Sequence, residues 1–240
     1  LYNGAVGGFH KSTGMKKRNI FLILLLPFVL WYCQGSHSMQ PASVRFKPAE
    51  APYPKLSDYA FFKSIGKGGL SANEGVLQYE PITPLFTDYA HKARFVWMPD
   101  SVQATVDAEG CLQFPDNTVL IKTFYYPADF RNPAQDWDLV ETRLLMKRSG
   151  EWDAYTYVWN DEDTEAELNV VGGVKQVAWT SEQGEARQVA YTIPNKNQCK
   201  SCHNQDNRLL PIGPKVRHLN AELTYPDGQT FNQIQRWQAS

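Results

Sequence analysis

The chain has 240 residues, a formal net charge of -1, 42% hydrophobic residues and 20% charged residues. This composition excludes a disordered chain and indicates one large globular domain or two modest ones. The sequence has no basic stripe and no interleaving of basic with aromatic residues, so it gives no indication of a nucleic-acid partner.

The N-terminal residues predict an export signal. Residues 1–14 contain no initiating Met, and we interpret them as sequence from upstream of the true start, which we place at Met15. A basic head at Lys16–Arg18 and an apolar run at Ile20–Tyr32 follow, as is typical of a signal peptide, here residues 15–33. The run is shorter than the roughly 20 apolar residues of a spanning helix, which favours the signal. An uncleaved membrane anchor is the alternative.

Cys33 ends this apolar run, where the signal of a lipoprotein would also end. Leu30 fits a lipidation site, whereas Tyr32, directly before the Cys, does not. Two outcomes stay open: a lipid anchor at Cys33, or a Cys that is removed with the signal. We therefore expect a periplasmic or cell-envelope protein whose membrane contact is limited to the signal or a lipid anchor.

Residues 34–56 predict a Pro-rich linker, and residues 57–192 predict a β-rich domain. A short helix is predicted at Leu56–Ile65, and a hairpin turn at Arg148–Glu151. Polar residues then alternate with apolar or aromatic ones, which favours an antiparallel, sandwich-like or barrel-like sheet. The predicted strands are Arg94–Met98, Thr118–Tyr126, Glu141–Lys147, Trp152–Trp159, Lys175–Thr180 and Arg187–Thr192.

Residues 193–240 predict a change to a small α-helical domain. Asn195 can cap a helix and Gln198 can complete a capping box, so we expect a helix from about Lys196 to Asp206. A last helix is predicted at Gln229–Ala239. The chain stops there without a helix stop signal, so we expect this domain to be truncated.

The first of these helices carries the motif C-x-x-C-H, formed by Cys199, Cys202 and His203. Two thiols three residues apart lie on one face of a helix, where each can form a thioether with a haem vinyl group. His203 projects near the same face and can bind the iron. The motif is the signature of a covalently attached c-type haem, with His203 as the metal ligand. No residue is predicted to be catalytic.

The cysteine pair has three alternatives to haem. A thioredoxin-like redox pair is expected in a βαβ context, and a zinc site needs a second pair of ligands. Neither accompanies Cys199 and Cys202 in the sequence. A structural disulfide is the third alternative in an exported protein.

The residues after the motif resemble the segment that follows the haem-binding His in class I cytochromes c. The resemblance covers residues 203–219 and includes Gly213–Pro214. It implies that the carbonyl of Pro214 lies against the ring N–H of His203 and fixes its orientation.

The same resemblance implies a distal Met after the motif, but the methionines of this chain all precede it. We expect the sixth ligand to lie beyond the chain end. His218 is interpreted as a surface or packing histidine, and Met98 or His91 are further alternatives for the sixth ligand. A Met in a strand, however, more often belongs to the core.

A wider resemblance covers most of residues 55–240. The segments Tyr79–Ala90, Lys92–Arg94 and Tyr191–Pro194, followed by the haem motif, resemble a family of exported bacterial diheme c-type cytochromes. The resemblance implies that residues 193–240 are the N-terminal part of a cytochrome c domain. A second haem would need a motif beyond Ser240, since one C-x-x-C-H is present.

Together these patterns predict a c-type cytochrome that transfers electrons in the cell envelope and docks a redox partner protein. Two alternatives remain. In the first, the chain is a haem enzyme or a dehydrogenase-associated subunit with an open sixth coordination position. In the second, it is a β-sandwich binding module in which haem is an accessory.

Overall fold

The computed structural model describes residues 43–205 and 207–240, so the predicted upstream segment, the signal and Cys33 lie outside the described residues. Three short α-helices are present, α1 (Lys196–Cys202), α2 (Val216–Leu219) and α3 (Gln233–Gln238), together with a 3-10 helix at Leu56–Tyr59. The β-strands are β1 (Phe62–Gly66), β2 (Gly69–Ala72), β3 (Val76–Gln78), β4 (His91–Trp97), β5 (Thr105–Val106), β6 (Leu112–Gln113), β7 (Val119–Pro127), β8 (Trp137–Arg148), β9 (Glu151–Trp159), β10 (Ala166–Asn169), β11 (Gly173–Thr180), β12 (Ala186–Ile193), β13 (Asn204–Gln205), β14 (Arg208–Leu209), β15 (Glu222–Thr224) and β16 (Thr230–Asn232).

An open, antiparallel, six-stranded sheet in the order β10-β9-β8-β7-β4-β3 forms the centre of the fold. Five two-stranded sheets accompany it: β1-β2, β5-β6, β11-β12, β13-β14 and β15-β16. The predicted hairpin turn joins β8 to β9, and Ser149 and Gly150 both have positive φ there (49° and 80°). Positive φ at both central residues is the geometry of a type I′ turn, whose twist matches that of the strands.

One face of the central sheet is covered by the N-terminal part of the described chain. Phe95, Ile121 and Leu144 point to this face and form one buried cluster with Tyr59 and Phe62. Val44, Phe46 and Tyr53 pack against the same cluster. The described part of the predicted linker, residues 43–56, therefore packs as part of the core.

The opposite face is covered at its two ends by different segments. At one end, Phe124 and Tyr126 of β7 pack against Trp179 and Tyr191 of the β11-β12 hairpin. At the other end, Leu120 of β7 packs in a cluster with C-terminal residues, among them Leu219 and Trp237. A cavity lies between these two clusters, over the middle of the sheet.

The mainly β, antiparallel fold class is confirmed. All six predicted strands are present, each within a few residues of its predicted bounds. The predicted helix at Leu56–Ile65 is wrong beyond Tyr59. Ala60 adopts a left-handed conformation (φ 54°), which ends the helix, and β1 then inserts Phe62 into the core.

The C-terminal residues are less helical than predicted. Within 193–240, the three short helices alternate with the β13-β14 and β15-β16 hairpins. The predicted helix at Gln229–Ala239 is observed as β16 followed by α3. The helix begins late because Asn232 caps it: its side chain accepts hydrogen bonds from the backbone N–H groups of Ile234 and Gln235. In the described part of the chain, no helix has the length and apolar character needed to cross a membrane.

Candidate functional site

The motif helix α1 begins with the predicted capping box. The Oδ1 of Asn195 accepts hydrogen bonds from the backbone N–H groups of Asn197 and Gln198, both at 3.0 Å. The Oε1 of Gln198 accepts from the N–H of Asn195 at 2.9 Å. The helix ends earlier than predicted, at Cys202, because His203 leaves helical geometry and β13 begins directly after it.

The ring of His203 is held by a backbone carbonyl, but from a different residue than predicted. Its Nδ1 lies 3.0 Å from the carbonyl oxygen of Leu210, not against Pro214. The reason is the β13-β14 hairpin, which turns the chain back so that the N–H of Leu210 also donates to the carbonyl of His203 at 2.8 Å. Pro214 is buried and lines the same cavity as the motif.

All three residues of the motif, Cys199, Cys202 and His203, line one cavity of about 440 Å³. This volume lies within the roughly 300–1,000 Å³ that small-molecule and cofactor sites occupy. The sheet contributes the opposite wall, including Leu120 and Phe124. The segment of residues 81–87 forms part of the rim. The cavity is therefore mostly apolar and brings the motif against the β domain.

Three basic residues of the sheet, Arg94, Lys122 and Arg143, also line this cavity, and we call them the basic floor. They lie directly opposite one another on β4, β7 and β8, with Arg94 paired to Lys122 and Lys122 paired to Arg143. Because cross-strand partners project from the same face, the three cations form one row across the sheet. Arg94 is 7% exposed, and the other two are partly buried.

Arg143 is held by a carboxylate at the end of this row. Its Nε donates to Oε2 of Glu141 at 3.0 Å, and its Nη2 contacts Oε1 of the same carboxylate. Glu141 is fully buried and also accepts a hydrogen bond from the hydroxyl of Tyr191 at 2.7 Å. Since Tyr191 lies on β12, four residues before the cap of α1, this network links the sheet to the strand that leads into the motif.

Lys122 has a different environment from its two neighbours. Its ammonium lies 4.7 Å from the centroid of the Phe124 ring. Among the described residues, no hydrogen-bond acceptor or carboxylate pairs with it. Burial, together with the charges of Arg94 and Arg143, lowers the pKa of Lys122 from 10.5 to about 7.

The motif residues also have shifted pKa values. Burial raises the pKa of the Cys199 thiol, and the guanidinium of Arg143 opposes this. Burial lowers the pKa of His203, and its contact with the Leu210 carbonyl opposes this. The shift of His203 favours the neutral imidazole, which is the form that binds a metal.

Of the three residues that the sequence offers as alternative sixth ligands, only one lines the cavity. Met98 packs in the apolar cluster around Leu120, and His91 packs against Tyr125 and Phe130; neither lines the cavity. His218 does line it, with its Nδ1 3.2 Å from the carbonyl oxygen of Gly213. Across the described ranges, no group of three or more His, Cys, Asp or Glu side chains could hold a metal ion.

The basic floor was missed by sequence reasoning. One residue of it could have been noticed in the sequence. Lys122 lies between Leu120 and Phe124 on the same face of a predicted strand, at a position where the alternation predicts an apolar residue. No protein-family model, curated protein or solved structure matches this chain.

Proposed function

We propose that this chain is a c-type cytochrome that carries haem on Cys199 and Cys202, with His203 as an axial ligand of the iron. The observation that carries the proposal is the shared cavity, which Cys199, Cys202 and His203 all line. A C-x-x-C-H motif facing solvent would leave a haem uncovered. Here the β domain supplies a wall opposite the motif.

The residues of the cavity fit a haem. Apolar side chains such as Leu120, Phe124 and Leu145 suit the macrocycle, and the basic floor suits its acidic edge. The Leu210 carbonyl engages Nδ1 of His203, which leaves Nε2 available to a metal. When bound, haem would supply one-electron redox chemistry.

The chain's own residues would then determine how that chemistry is used. The Leu210 carbonyl orients the imidazole and increases its basicity. The apolar wall limits the access of water, and the basic floor adds positive charge beside the cofactor. Hydrogen bonding, burial and nearby charge are the means by which a protein sets a haem potential.

The finer features of the interpretation belong to the same proposal. We propose that residues 193–240 are the N-terminal part of a cytochrome c domain and that the chain is related to exported diheme c-type cytochromes. Under this proposal the protein works in the cell envelope and passes electrons to a redox partner protein. What supports it is the motif, together with the export signal predicted at residues 15–33.

Pyridine haemochrome analysis tests the attachment directly. The chain is expressed in a host with haem-maturation machinery, and we expect one covalent haem per chain. Cys199→Ala and Cys202→Ala should each remove one thioether, which shifts the haemochrome band, and the double variant should carry no covalent haem. Cys111→Ala is the matched control, because this half-buried Cys lies outside the cavity. A wild-type chain without covalent haem would refute the proposal.

A second candidate is a haem enzyme with an open sixth position. It is favoured by the positions of Met98 and His91, which do not line the cavity, whereas His218, which lines it, would favour the electron carrier. A low-spin spectrum of the loaded chain supports the electron carrier. A high-spin spectrum with rapid reaction towards peroxide supports the enzyme instead.

A further inference from the structure

The basic floor contains more positive charge than its neighbours neutralise. Arg143 is paired with the buried Glu141. Arg94 is nearly buried, and its nearest carboxylate, that of the half-exposed Glu80, is 3.9 Å away. Lys122, between them, has no carboxylate partner among the described residues. Even a partly buried cation without a partner is costly, and proteins normally pair it.

We propose that the basic floor binds carboxylate groups within the cavity, with Lys122 as the central contact. The proposal deepens the proposed function, on which it partly rests. A haem attached at Cys199 and Cys202 would bring two propionate carboxylates of its own. A free carboxylic acid that enters the cavity is the second source of the same chemistry.

The geometry of the floor supports a ligand with carboxylate groups. A planar guanidinium can bind a carboxylate through two parallel hydrogen bonds, and an ammonium beside it adds a point charge. Arg94 has donors that its long contact with Glu80 does not use well. Directly opposed strand positions place Arg94 next to Lys122, so one carboxylate can contact both.

The remainder of the cavity restricts the body of the ligand. Next to the floor lie Leu120, Phe124 and Leu145, and the opposite side includes Ile212 and Pro214. The cavity therefore fits an apolar body with one or two acidic groups at its edge.

Succinate is the probe for the first arm of the test. The chain with Cys199→Ala and Cys202→Ala, which cannot attach haem, is titrated with succinate in a calorimeter. Lys122→Met in the same chain should weaken succinate binding by at least tenfold, since a charge-assisted hydrogen bond is lost. Succinamide, which has the same length and no charge, should not bind.

Two further variants test whether a loss of succinate binding is specific to the charge at position 122. Lys63→Met removes an exposed lysine on β1, outside the cavity, and should leave succinate binding unchanged. Lys122→Arg keeps the charge and should retain binding within about threefold. It keeps the test decisive if Lys122→Met disturbs the fold, which circular dichroism would reveal.

The second arm repeats the titration on the haem-loaded wild-type chain and distinguishes the two sources. If succinate binds the haem-free chain but not the loaded one, the propionates occupy the floor. If the loaded chain also binds succinate through Lys122, a free carboxylic acid is the ligand. Either result supports the proposal.

The experiments can contradict the cytochrome function and the carboxylate-binding proposal independently of each other. If the wild-type chain carries no covalent haem but still binds succinate through Lys122, the cytochrome function is refuted and carboxylate binding by the basic floor is supported. The proposal is overturned if succinate does not bind the haem-free chain. It is also overturned if the haem-free chain and its Lys122→Met and Lys63→Met variants bind succinate equally.

Discussion

Lys122 combines burial with the repulsion of two neighbouring arginines, and this affects the stability of the haem-free chain. Its pKa is about 7 in the folded chain and about 10.5 for an ordinary lysine. Between these values the unfolded chain binds a proton that the folded chain does not. Stability therefore rises with pH across this window.

We expect the free energy of unfolding of the haem-free chain to rise between pH 7 and pH 9. The contribution of Lys122 is at most about 1.4 kcal/mol per pH unit, the value for one proton. Urea denaturation at several pH values measures it. In Lys122→Met this contribution should be absent, although that of Lys92, whose pKa is lowered to about 8 by burial and Arg94, should persist. Identical slopes in both chains would contradict the assignment.

Glu141 is the second residue with a large expected effect. It is fully buried between Arg143 and Tyr191, so Glu141→Gln leaves the guanidinium of Arg143 without its counter-charge. Breaking such a buried pair from one side costs about 3 kcal/mol. Chemical denaturation should show this loss. Glu162→Gln, at an exposed position in a turn, should change stability by less than about 0.5 kcal/mol.

At the scale of single elements, the strands and the start of α1 could be predicted because their signals are local. Alternation identified β8 and β9, along which buried and more exposed residues alternate. The capping box of Asn195 and Gln198 needs only residues three apart. The failures involve distant contacts. Phe62 enters the core by pairing β1 with β2, and no pattern within residues 56–65 requires that pairing.

The C-terminal hairpins show the same limit more strongly. β13 and β14 have two residues each, too short for any periodicity, yet they place the Leu210 carbonyl against His203. The sequence therefore identified which residues form the motif but not the residue that orients the imidazole. The basic floor needed the register of β4, β7 and β8, which a single sequence does not contain.

The cap of α1 gives a prediction at this scale. Asn195→Ala removes the acceptor of two backbone N–H groups and should cost about 1 kcal/mol in free energy of unfolding. Asn197→Ala, in the first turn of the helix, is the control and should be near neutral or slightly stabilising, because it keeps the backbone N–H whose hydrogen bond Asn195 accepts. Urea denaturation of both variants measures the difference. A loss of equal size in both would show that the capping box contributes nothing.

At the scale of the whole molecule, the rim of the cavity is unusually apolar for an exposed surface. Leu85 is 67% exposed, Phe86 is 72% exposed and Tyr89 is 61% exposed. Leu85 and Phe86 also line the cavity beside the motif. An exposed apolar cluster next to a site commonly contacts a ligand or a partner.

We expect haem attachment to protect this rim from proteolysis. Chymotrypsin should cleave the haem-free chain readily after Leu85, Phe86 or Tyr89. In the haem-loaded chain this cleavage should be several-fold slower, because the rim would pack on the cofactor. Phe231, on β16 and outside the cavity, is the internal control and should be cleaved at similar rates. Mass spectrometry of the fragments measures both sites.

The unequal exposure of the two motif cysteines has a consequence for biogenesis. In the folded chain Cys199 is 8% exposed, whereas Cys202 faces solvent. If haem is attached at Cys199 and Cys202 as proposed, the attachment enzyme would have to reach both thiols. It would then have to act before α1 packs against β9, or hold that helix away from the sheet. Under the proposal, maturation would therefore compete with folding, because a β domain that forms early would bury one thiol before it is modified.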